Sequence, residues 1–215
     1  MFNHESIIIW DWNGTLLDDV SICIDIMNEI LGRRGLDKLT RKKYQQIFRF
    51  PVIDYYRQLG FDFKRDSFEN LSIEFIDAYS RKLKEAKLFK HSMDILGEFK
   101  SRNYSQVIIS AMKQANLEDS LRDKGVRDFF EHVIGLDDHY AESKIDFAVD
   151  FISRNNIYAD KAILIGDTTH DFEVARALGC KCLLVASGHQ SYDRLVVTGV
   201  PVNHKLKGIL DFFDK

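Results

Sequence analysis

Two acidic segments in this 215-residue chain carry side chains that are suited to nucleophilic attack or to binding a hard cation. The first is Asp11–Asp18, which directly follows an apolar, β-branched run. The second begins at Asp167, after another such run, and has a further carboxylate, Asp171, four residues later. A carboxylate at a strand end can attack an electrophile as a covalent nucleophile. The spacing of Asp167 and Asp171 suits Mg²⁺, which binds a few carboxylates together with water and substrate oxygens.

Each segment taken alone also has a structural interpretation. Asp11 and Asn13 are residue types that close turns, and Asp171 at the start of a helix is a typical capping residue. The combination is more specific, because Asp11, Asp167 and Asp171 would all come to the carboxyl edge of one parallel sheet. Three carboxylates there would repel each other unless a cation neutralised them. The sequence therefore predicts a Mg²⁺ site formed by residues that follow separate strands.

The elements that must position these residues are indicated by the hydrophobic pattern. Short apolar runs predict buried strands at Ser6–Trp10, Tyr104–Ser110, His132–Gly135, Ala162–Ile165 and Cys182–Ala186, with an edge strand at Val200–Val202. Helical stretches alternate with them, at about residues 91–102, 114–124, 143–154, 170–179, 189–198 and 206–213. This alternation predicts an α/β fold with a doubly wound, Rossmann-like parallel sheet.

The segment from about residue 20 to residue 87 has no buried-strand run and shows helical periodicity instead. Its apolar residues recur at three- and four-residue steps, at Ile22, Ile26, Ile30, Tyr44, Ile47, Leu71, Phe75 and Tyr79. We therefore predict an all-helical cap domain inserted after the first strand of the core. The predicted boundaries are residues 1–17 and 89–215 for the core and residues 18–88 for the cap, with hinges at Leu17–Val20 and Lys87–His91.

In motif order and in the place of the insertion, the whole chain resembles the haloacid dehalogenase-like hydrolases, in particular the phosphoglycolate phosphatase-like branch with a helical cap. The first motif of the phosphatases in that family, Asp-x-Asp-Gly-Thr, is matched by Asp11–Thr15, with Asn13 in place of the second aspartate. The second motif, a Ser or Thr after an apolar strand, is matched by Ser110, and the third, a Lys, by Lys144. The fourth, Gly-Asp-x-x-x-Asp, is matched by Gly166–Asp171.

The resemblance implies a Mg²⁺-dependent phosphatase that acts on a small phosphorylated metabolite. Asp11 would be the nucleophile that becomes an aspartyl-phosphate, Ser110 would donate a hydrogen bond to a phosphoryl oxygen, and Lys144 would neutralise negative charge. The residues implied to hold Mg²⁺ are Asp11, Asn13 through its main-chain carbonyl, Asp167 and Asp171. These roles are consistent with phosphoryl transfer, which depends mainly on alignment and charge neutralisation.

Further residues are candidates for contact with the phosphate or with the rest of the substrate. Gly14 suits a tight turn, Thr15 offers a hydroxyl, and Ala111 follows the serine of the second motif. Arg49 lies at a break between predicted cap helices, where it could bind a carboxylate or phosphate with two hydrogen bonds. The basic segment Arg33–Lys43 could steer an anionic substrate, although a solvated surface is the favoured interpretation.

Asn13 departs from the family pattern, because the phosphatases of that family carry an aspartate there as general acid and base. A carboxamide has no proton that titrates near neutrality, and general acid–base catalysis contributes roughly 10²–10⁴-fold in rate. Four explanations stay open: a good leaving group such as an acyl phosphate or pyrophosphate, another proton donor, a protein that mainly binds a phosphorylated ligand, or an engineered substitution. The unusual Trp12 beside Asn13 favours a natural variant.

His170, His189 and His139 are the candidates for another proton donor, because imidazole titrates near neutral pH. A histidine in a loop is more often structural or solvated, and His139 is the weakest of the three. If none of them acts, the main alternative to an enzyme is a catalytically impaired relative that binds a phosphorylated ligand. A non-enzymatic scaffold is the third interpretation.

The composition excludes several other classes of protein. Lys and Arg number 30 against 33 Asp and Glu, a net charge of −3, so the broad basic surface typical of nucleic-acid binding is not expected. Three cysteines without a CxxC pair argue against a disulfide framework or a zinc site and favour a reducing, cytoplasmic compartment. No apolar run approaches about 18 residues, and the N-terminus lacks the pattern of a signal peptide, so no membrane association is expected.

Overall fold

The computed structural model describes residues 6–136, 144–155 and 157–214. The strands are β1 (Ile7–Trp10), β2 (Leu17–Asp18), β3 (Lys87–Leu88), β4 (Ser105–Lys113), β5 (His132–Leu136), β6 (Ala162–Gly166), β7 (Lys181–Val185) and β8 (Val202–Asn203). The α-helices are α1 (Val20–Gly32), α2 (Arg41–Ile47), α3 (Val52–Gln58), α4 (Phe68–Lys82), α5 (Ser92–Ser101), α6 (Gln114–Asp123), α7 (Lys144–Arg154), α8 (Thr169–Leu178) and α9 (Tyr192–Leu195). Short 3₁₀ segments occur at Leu83–Glu85, Arg127–Phe129, Ala159–Lys161, Val196–Thr198 and Leu206–Phe212.

One parallel sheet contains the strands β5, β4, β1, β6, β7 and β8 in that spatial order. From the central strand β1 the chain adds β4 and β5 on one side, and it then crosses to add β6, β7 and β8 on the other. Ile9 of β1 accordingly lies between Val107 of β4 and Leu164 of β6. This order confirms the predicted doubly wound fold, which binds ligands beyond the carboxyl ends of the strands where the order reverses.

Apolar side chains cover both faces of the sheet. Ile8 and Trp10 of β1 belong to the hydrophobic cluster on one face, whereas Ile9 and Leu164 belong to the cluster on the other. Side chains alternate between the faces of a strand, so a strand that is buried on both sides must be apolar throughout. This requirement explains the continuous apolar runs that identify β1, β4 and β6 in the sequence.

Helices α1–α4 form a separate hydrophobic cluster of their own between β2 and β3. Ile26, Ile30 and Leu71 are among its fully buried members, at positions that the helical periodicity predicts. The helix α1 packs against α4 within this cluster. A cluster that is distinct from the two sheet faces is consistent with an inserted helical cap, whose boundaries at residues 18 and 88 stay a prediction.

The two connections between the core and these helices lie side by side in a small antiparallel ribbon. Leu17 of β2 pairs with Leu88 of β3, and the Ser92 hydroxyl donates a hydrogen bond of 3.0 Å to the main-chain oxygen of Leu16. Strands of two residues are too short to show an alternating pattern, so the sequence could not predict them. The segments expected to be hinges are therefore joined to each other by main-chain pairing.

Some predicted element boundaries are wrong in detail. The strand β4 continues past Ser110 instead of ending there. The helix predicted over residues 189–198 is reduced to the short α9 and a 3₁₀ turn. In the residues before α9, the Ser191 main-chain nitrogen donates to the main-chain oxygen of Gln45, and the Gln190 side chain accepts a hydrogen bond from the Thr169 main-chain nitrogen. The last predicted helix is a 3₁₀ segment. In the part of the chain that the structure describes, no helix is both long and apolar enough to cross a membrane.

Candidate active site

Three buried carboxylates meet at the carboxyl edge of the sheet. Asp11 follows β1, Asp167 follows β6, and Asp171 lies in the first turn of α8. One oxygen from each side chain lies within 4.8 Å of the others, and each residue is at most 7% exposed. A compact group of carboxylate oxygens is the donor set that Mg²⁺ prefers, so these residues fit the ion that the sequence predicts.

A single ammonium group connects two members of this cluster. Lys144, the first residue of α7, places its Nζ 2.5 Å from Asp11 Oδ1 and 2.7 Å from Asp171 Oδ1. Burial alone would lower the pKa of Lys144, but the charges of Asp11 and Asp171 hold that pKa above its ordinary value. Lys144 therefore stays charged and compensates part of the negative charge of the site.

The two carboxylate oxygens of Asp171 have different partners: one caps the start of α8, and the other contacts Lys144. Its Oδ2 accepts hydrogen bonds from the Thr168 main-chain nitrogen at 3.0 Å and from the Thr168 hydroxyl at 2.7 Å, which completes a capping box at the start of α8. Its Oδ1 contacts Lys144. Burial would raise the pKa of Asp171, but Lys144 and Thr168 hold it below its ordinary value. The capping interpretation and the site interpretation of this residue are thus compatible.

The other two carboxylates hold their protons more tightly than usual. Burial raises the pKa of Asp11 to about 6, although Lys144 opposes the shift. Burial also raises the pKa of Asp167 to about 8, against the opposing effect of His189. Crowded, dehydrated carboxylates of this kind favour protonation until a cation neutralises them. The electrostatics of the cluster are therefore those of a cation site.

The loop after β1 brings Gly14 and Thr15 against these carboxylates. The Thr15 hydroxyl is 3.1 Å from both Asp11 Oδ2 and Asp167 Oδ1, and the residue is fully buried. Gly14 has a φ of 75°, and a Cβ atom there would lie 2.4 Å from Asp167 Oδ2. Both the backbone conformation and the lack of space therefore require glycine. Thr15 contacts the carboxylates, and its predicted contact with phosphate stays a prediction.

The sequence matches the family model described as haloacid dehalogenase-like hydrolase over residues 8–185, which is most of the chain. The chain belongs to the haloacid dehalogenase-like hydrolases. Its similarity to solved structures extends over nearly the whole fold. A haloacid dehalogenase-like hydrolase from Streptococcus pneumoniae matches with a TM-score of 0.84 at 23% identity, covering 98% of this chain and 99% of the other. A predicted phosphoglycolate phosphatase from Haemophilus somnus matches with a TM-score of 0.80 at 14% identity, covering 99% and 100%.

Curated relatives of this haloacid dehalogenase-like chain are phosphatases with different named substrates. A phosphoglycolate phosphatase from Synechococcus elongatus is 24% identical over 197 residues, which cover 88% of this chain and 87% of the relative. An N-acetylmuramic acid 6-phosphate phosphatase from Pseudomonas putida is 26% identical over 189 residues, which cover 85% and 83%. Both names describe hydrolysis of a phosphomonoester, and they differ in the alcohol to which the phosphate is attached.

Asn13 is the residue that departs from the haloacid dehalogenase-like pattern. Its carboxamide forms hydrogen bonds with two residues outside the loop that follows β1. Its Nδ2 donates hydrogen bonds to Asp19 Oδ2 at 2.9 Å and to the Tyr79 hydroxyl oxygen at 2.6 Å. The Tyr79 hydroxyl in turn donates to Asp19 Oδ2 at 2.7 Å. Asp19 is not predicted as a site residue, because the first motif ends at Asp18, and Tyr79 is predicted only as an apolar helical position. Asn13 is thus a donor to a buried carboxylate.

Of the two candidate proton donors that the structure describes, His189 lies deeper in the site than His170. Its Nδ1 is 2.7 Å from the Tyr44 hydroxyl, and its Nε2 is 3.4 Å from Asp19 Oδ1. Burial would lower the pKa of His189, but Asp19 and Asp167 raise it to about 9. His170 lies nearer the surface, where its Nδ1 is 3.0 Å from Glu173. His139 lies outside the described residues.

The remaining predicted residues divide between the cavity wall and its surroundings. Ser110, Ala111 and Asn13 line the cavity above the carboxylates. The Ser110 hydroxyl accepts a hydrogen bond from the Met112 main-chain nitrogen at 3.1 Å and lies 3.5 Å from Asn13 Oδ1. Arg49 does not line this cavity, and its buried Nε has no hydrogen-bond partner among the described residues. Its predicted contact with substrate stays a prediction.

A cavity of about 460 Å³ extends from the carboxylates to helices α1–α4. The helices close it by contact with the loop after β7: Gln45 Nε2 donates a hydrogen bond of 2.8 Å to the main-chain oxygen of Gly188. Gln190 Nε2 donates one of 3.0 Å to the main-chain oxygen of Phe48. These contacts hold the helices over the carboxylates, and the cavity between them fits a small substrate.

Proposed function

We propose that this haloacid dehalogenase-like hydrolase is a Mg²⁺-dependent phosphatase that hydrolyses a small phosphorylated metabolite through an aspartyl-phosphate on Asp11. The observation that carries this proposal is the position of Lys144, 2.5 Å from Asp11 and 2.7 Å from Asp171, beside the buried carboxylate cluster. A nucleophilic carboxylate beside a fixed cation and a cation site is the arrangement that phosphoryl transfer requires.

The chain's own residues would divide the reaction into two steps. In the first, a carboxylate oxygen of Asp11 attacks phosphorus, and the bond from phosphorus to the alcohol oxygen breaks. In the second, water attacks phosphorus, the bond from phosphorus to Asp11 breaks and restores the carboxylate, and inorganic phosphate leaves with the two protons of the water. Lys144 and Ser110 would hold the phosphoryl oxygens in both steps. Mg²⁺, held by Asp11, Asp167, Asp171 and the main-chain carbonyl of Asn13, would supply further neutralisation of the developing charge.

The alcohol must gain a proton as it leaves, and Asn13 cannot provide it. The contacts of Asn13 with Asp19 and Tyr79 orient a carboxamide and give it no titratable proton. Esters of poor leaving groups should therefore react slowly, by a factor of roughly 10²–10⁴ if no other group replaces the missing acid. Acyl phosphates and pyrophosphate, whose leaving groups need little protonation, should be affected least in the first step, whereas the second step lacks its base with every substrate.

A second candidate function follows from the same observation. If the missing acid and base stop turnover altogether, the protein binds a phosphorylated ligand without hydrolysing it. An enzyme releases phosphate in amounts that exceed the amount of protein, whereas a binding protein shows only stoichiometric stabilisation by its ligand. The cytoplasmic location expected from the sequence stays a prediction under either function.

Phosphate release from a panel of phosphorylated metabolites, acyl phosphates and pyrophosphate tests the proposal. The protein is assayed with Mg²⁺ and with a chelator, beside its Asn13→Asp variant. We expect Mg²⁺-dependent, multiple-turnover release by the unchanged protein from at least the acyl phosphates. If only Asn13→Asp releases phosphate, the binding function replaces the catalytic one. If neither protein releases phosphate with any member of the panel, the proposed activity is wrong.

A further inference from the structure

The side of the cavity that faces away from the carboxylates is aromatic and carries no charge. Phe48, Phe50, Tyr55, Phe68 and Phe75 line it, together with aliphatic residues of α1, α3 and α4. Every residue from 20 to 85 is described, and none of those that line the cavity is Lys, Arg, Asp or Glu. Aromatic rings in such a wall contribute a large apolar contact area.

Two arginines of the helical segment are paired with acids away from the cavity, and a third, Arg49, does not line the cavity although its buried Nε has no partner among the described residues. Arg33 pairs with Glu74 at 2.6 Å, and Arg34 pairs with Asp66 and with Glu74, each at 2.8 Å. The lysines that do line the cavity, Lys113 and Lys144, come from the sheet side, and Lys144 is bound to two carboxylates. A second negative charge on the substrate would therefore meet apolar surface where the alcohol part must lie, and burying an unpaired charge is strongly unfavourable.

Two hydroxyl groups in this wall are buried and unsatisfied. Tyr55 Oη and Ser72 Oγ have no hydrogen-bond partner among the described residues, and both residues line the cavity. Tyr55 is only 2% exposed. Buried polar groups are normally hydrogen-bonded, but these two oxygens are covered by protein atoms, so they add no accessible polar surface to the wall.

We infer that the alcohol part of the substrate is neutral and largely apolar or aromatic. The inference rests on the proposed phosphatase function and narrows its substrate class. The phosphoryl group lies at the carboxylates and Lys144, and the apolar body lies against α1–α4. A small anionic alcohol such as glycolate leaves this wall unused and brings a second charge to a wall that no cation of residues 20–85 lines.

Hydrolysis of two matched esters tests the inference. Benzyl phosphate and 2-phosphoglycolate both release a primary alcohol, so their difference reports the alcohol body more than the leaving-group chemistry. Burial of one phenyl group favours a ligand by roughly tenfold or more. We expect kcat/KM for benzyl phosphate to exceed that for 2-phosphoglycolate by at least this factor. Equal values, or a preference for 2-phosphoglycolate, would overturn the inference.

Binding of non-hydrolysable analogues separates this inference from the proposed activity. The probes are 2-phenylethylphosphonate and 3-phosphonopropionate, in which a methylene group replaces the ester oxygen, measured by calorimetry with Mg²⁺. Tighter binding of the phenyl compound supports the inference even if no ester is hydrolysed, in which case only the phosphatase activity fails. Tighter or equal binding of 3-phosphonopropionate overturns the inference even if the protein is a phosphatase.

Truncation of an aromatic ring in the cavity wall also tests the inference, and an aromatic ring outside the cavity provides a matched control. Phe50 lines the cavity and is 38% exposed, whereas Tyr158 is an aromatic residue outside it with 70% exposure. Phe50→Ala should reduce the preference for the phenyl phosphonate several-fold, because the ring contributes apolar contact with the ligand. Tyr158→Ala should leave the preference unchanged. Equal effects of the two substitutions would contradict the placement of the apolar body against this wall.

Discussion

Because Asn13 contacts Asp19, the substitution of Asn13 by the aspartate of the family should also reduce the stability of the protein. Asn13 Nδ2 donates to Asp19 Oδ2 at 2.9 Å, and Asp19 is only 1% exposed. Asn13→Asp would replace that donor with a second carboxylate oxygen beside the first. Loss of a buried hydrogen bond to a charged group costs about 2 kcal/mol in the free energy of unfolding. We expect this loss at neutral pH in urea denaturation.

The double substitution Asn13→Asp with Asp19→Asn exchanges the donor and the acceptor. It should therefore restore most of the stability that Asn13→Asp alone loses. In the double-mutant cycle of the two positions, the coupling free energy should therefore be about 2 kcal/mol. The single Asp19→Asn variant is the necessary control, because Asp19 also accepts a hydrogen bond from the Gly14 main-chain nitrogen. Additive effects of the two substitutions would show that the pair does not stabilise the protein.

The raised pKa of His189 allows a prediction of how the stability of the metal-free protein depends on pH. Its pKa in the folded protein is about 9, above the ordinary value of 6.5, because Asp19 and Asp167 outweigh the effect of burial. A raised pKa means that the folded state binds the proton more tightly. The stabilisation is therefore complete below about pH 6.5 and is lost as pH rises through about 9. Asp167, with its pKa raised to about 8, acts in the same direction.

Urea denaturation in the presence of a chelator, between pH 6 and pH 9.5, measures this dependence. The unchanged protein should lose stability across the range, and His189→Gln should lose less, because only the contribution of Asp167 remains. A free energy of unfolding that rises with pH, or the same slope in both proteins, would refute the assignment of a charged His189 in the folded state.

At the scale of elements, the loops after β6 and β7 fit together with no free space. A Cβ atom on Gly188 would lie 2.1 Å from Asp167 Oδ2 and 2.2 Å from the main-chain oxygen of Gly14. Gly188→Ala must therefore displace Asp167 or the loop that carries Gly14. We expect at least a tenfold weaker affinity for Mg²⁺, since a displaced carboxylate loses its place in the cluster. Titration followed by thermal stability measures that affinity.

Gly97 provides the matched control for this substitution. It lies within α5, and a Cβ atom there meets nothing within 4 Å. Alanine is favoured over glycine in a helix by roughly 0.5–1 kcal/mol. Gly97→Ala should therefore raise stability slightly and leave Mg²⁺ affinity unchanged. If Gly188→Ala bound Mg²⁺ as tightly as Gly97→Ala does, the close packing around Asp167 would have no role in the site.

Elements with a strong local pattern could be predicted from the sequence, and elements defined by distant partners could not. The strands β1, β4 and β6 are buried on both faces, so their apolar runs are unambiguous. The ribbon of β2 and β3 has two residues per strand and exists only because two distant connections pair. The segment before α9 likewise contacts a distant element, since the Ser191 main-chain nitrogen donates to the main-chain oxygen of Gln45 in α2.

The same distinction applies to the candidate site within the whole molecule. Asp11, Asp167 and Asp171 follow or flank predictable strands, so the sequence could place them at one edge of the sheet. Asp19 and Tyr79 could not be placed, because their contact with Asn13 depends on how α4 packs over the core. In the sequence, the residues of the aromatic wall show the pattern of any helical core, namely apolar residues at three- and four-residue steps. Only the structure shows that some of them line a cavity.

The central claim is that Asp11 is the nucleophile of a phosphatase, and the covalent intermediate tests it most directly. The Mg²⁺-loaded protein is mixed with acetyl phosphate and quenched in acid, and its peptic peptides are analysed by mass spectrometry. Because Asn13 cannot act as a base for the attacking water, the second step should be slow and the intermediate should accumulate. We predict one phosphoryl group on a peptide that contains Asp11, and none on the Asp11→Asn variant. A phosphoryl group on another residue, or unchanged phosphate release by Asp11→Asn, would contradict the claim.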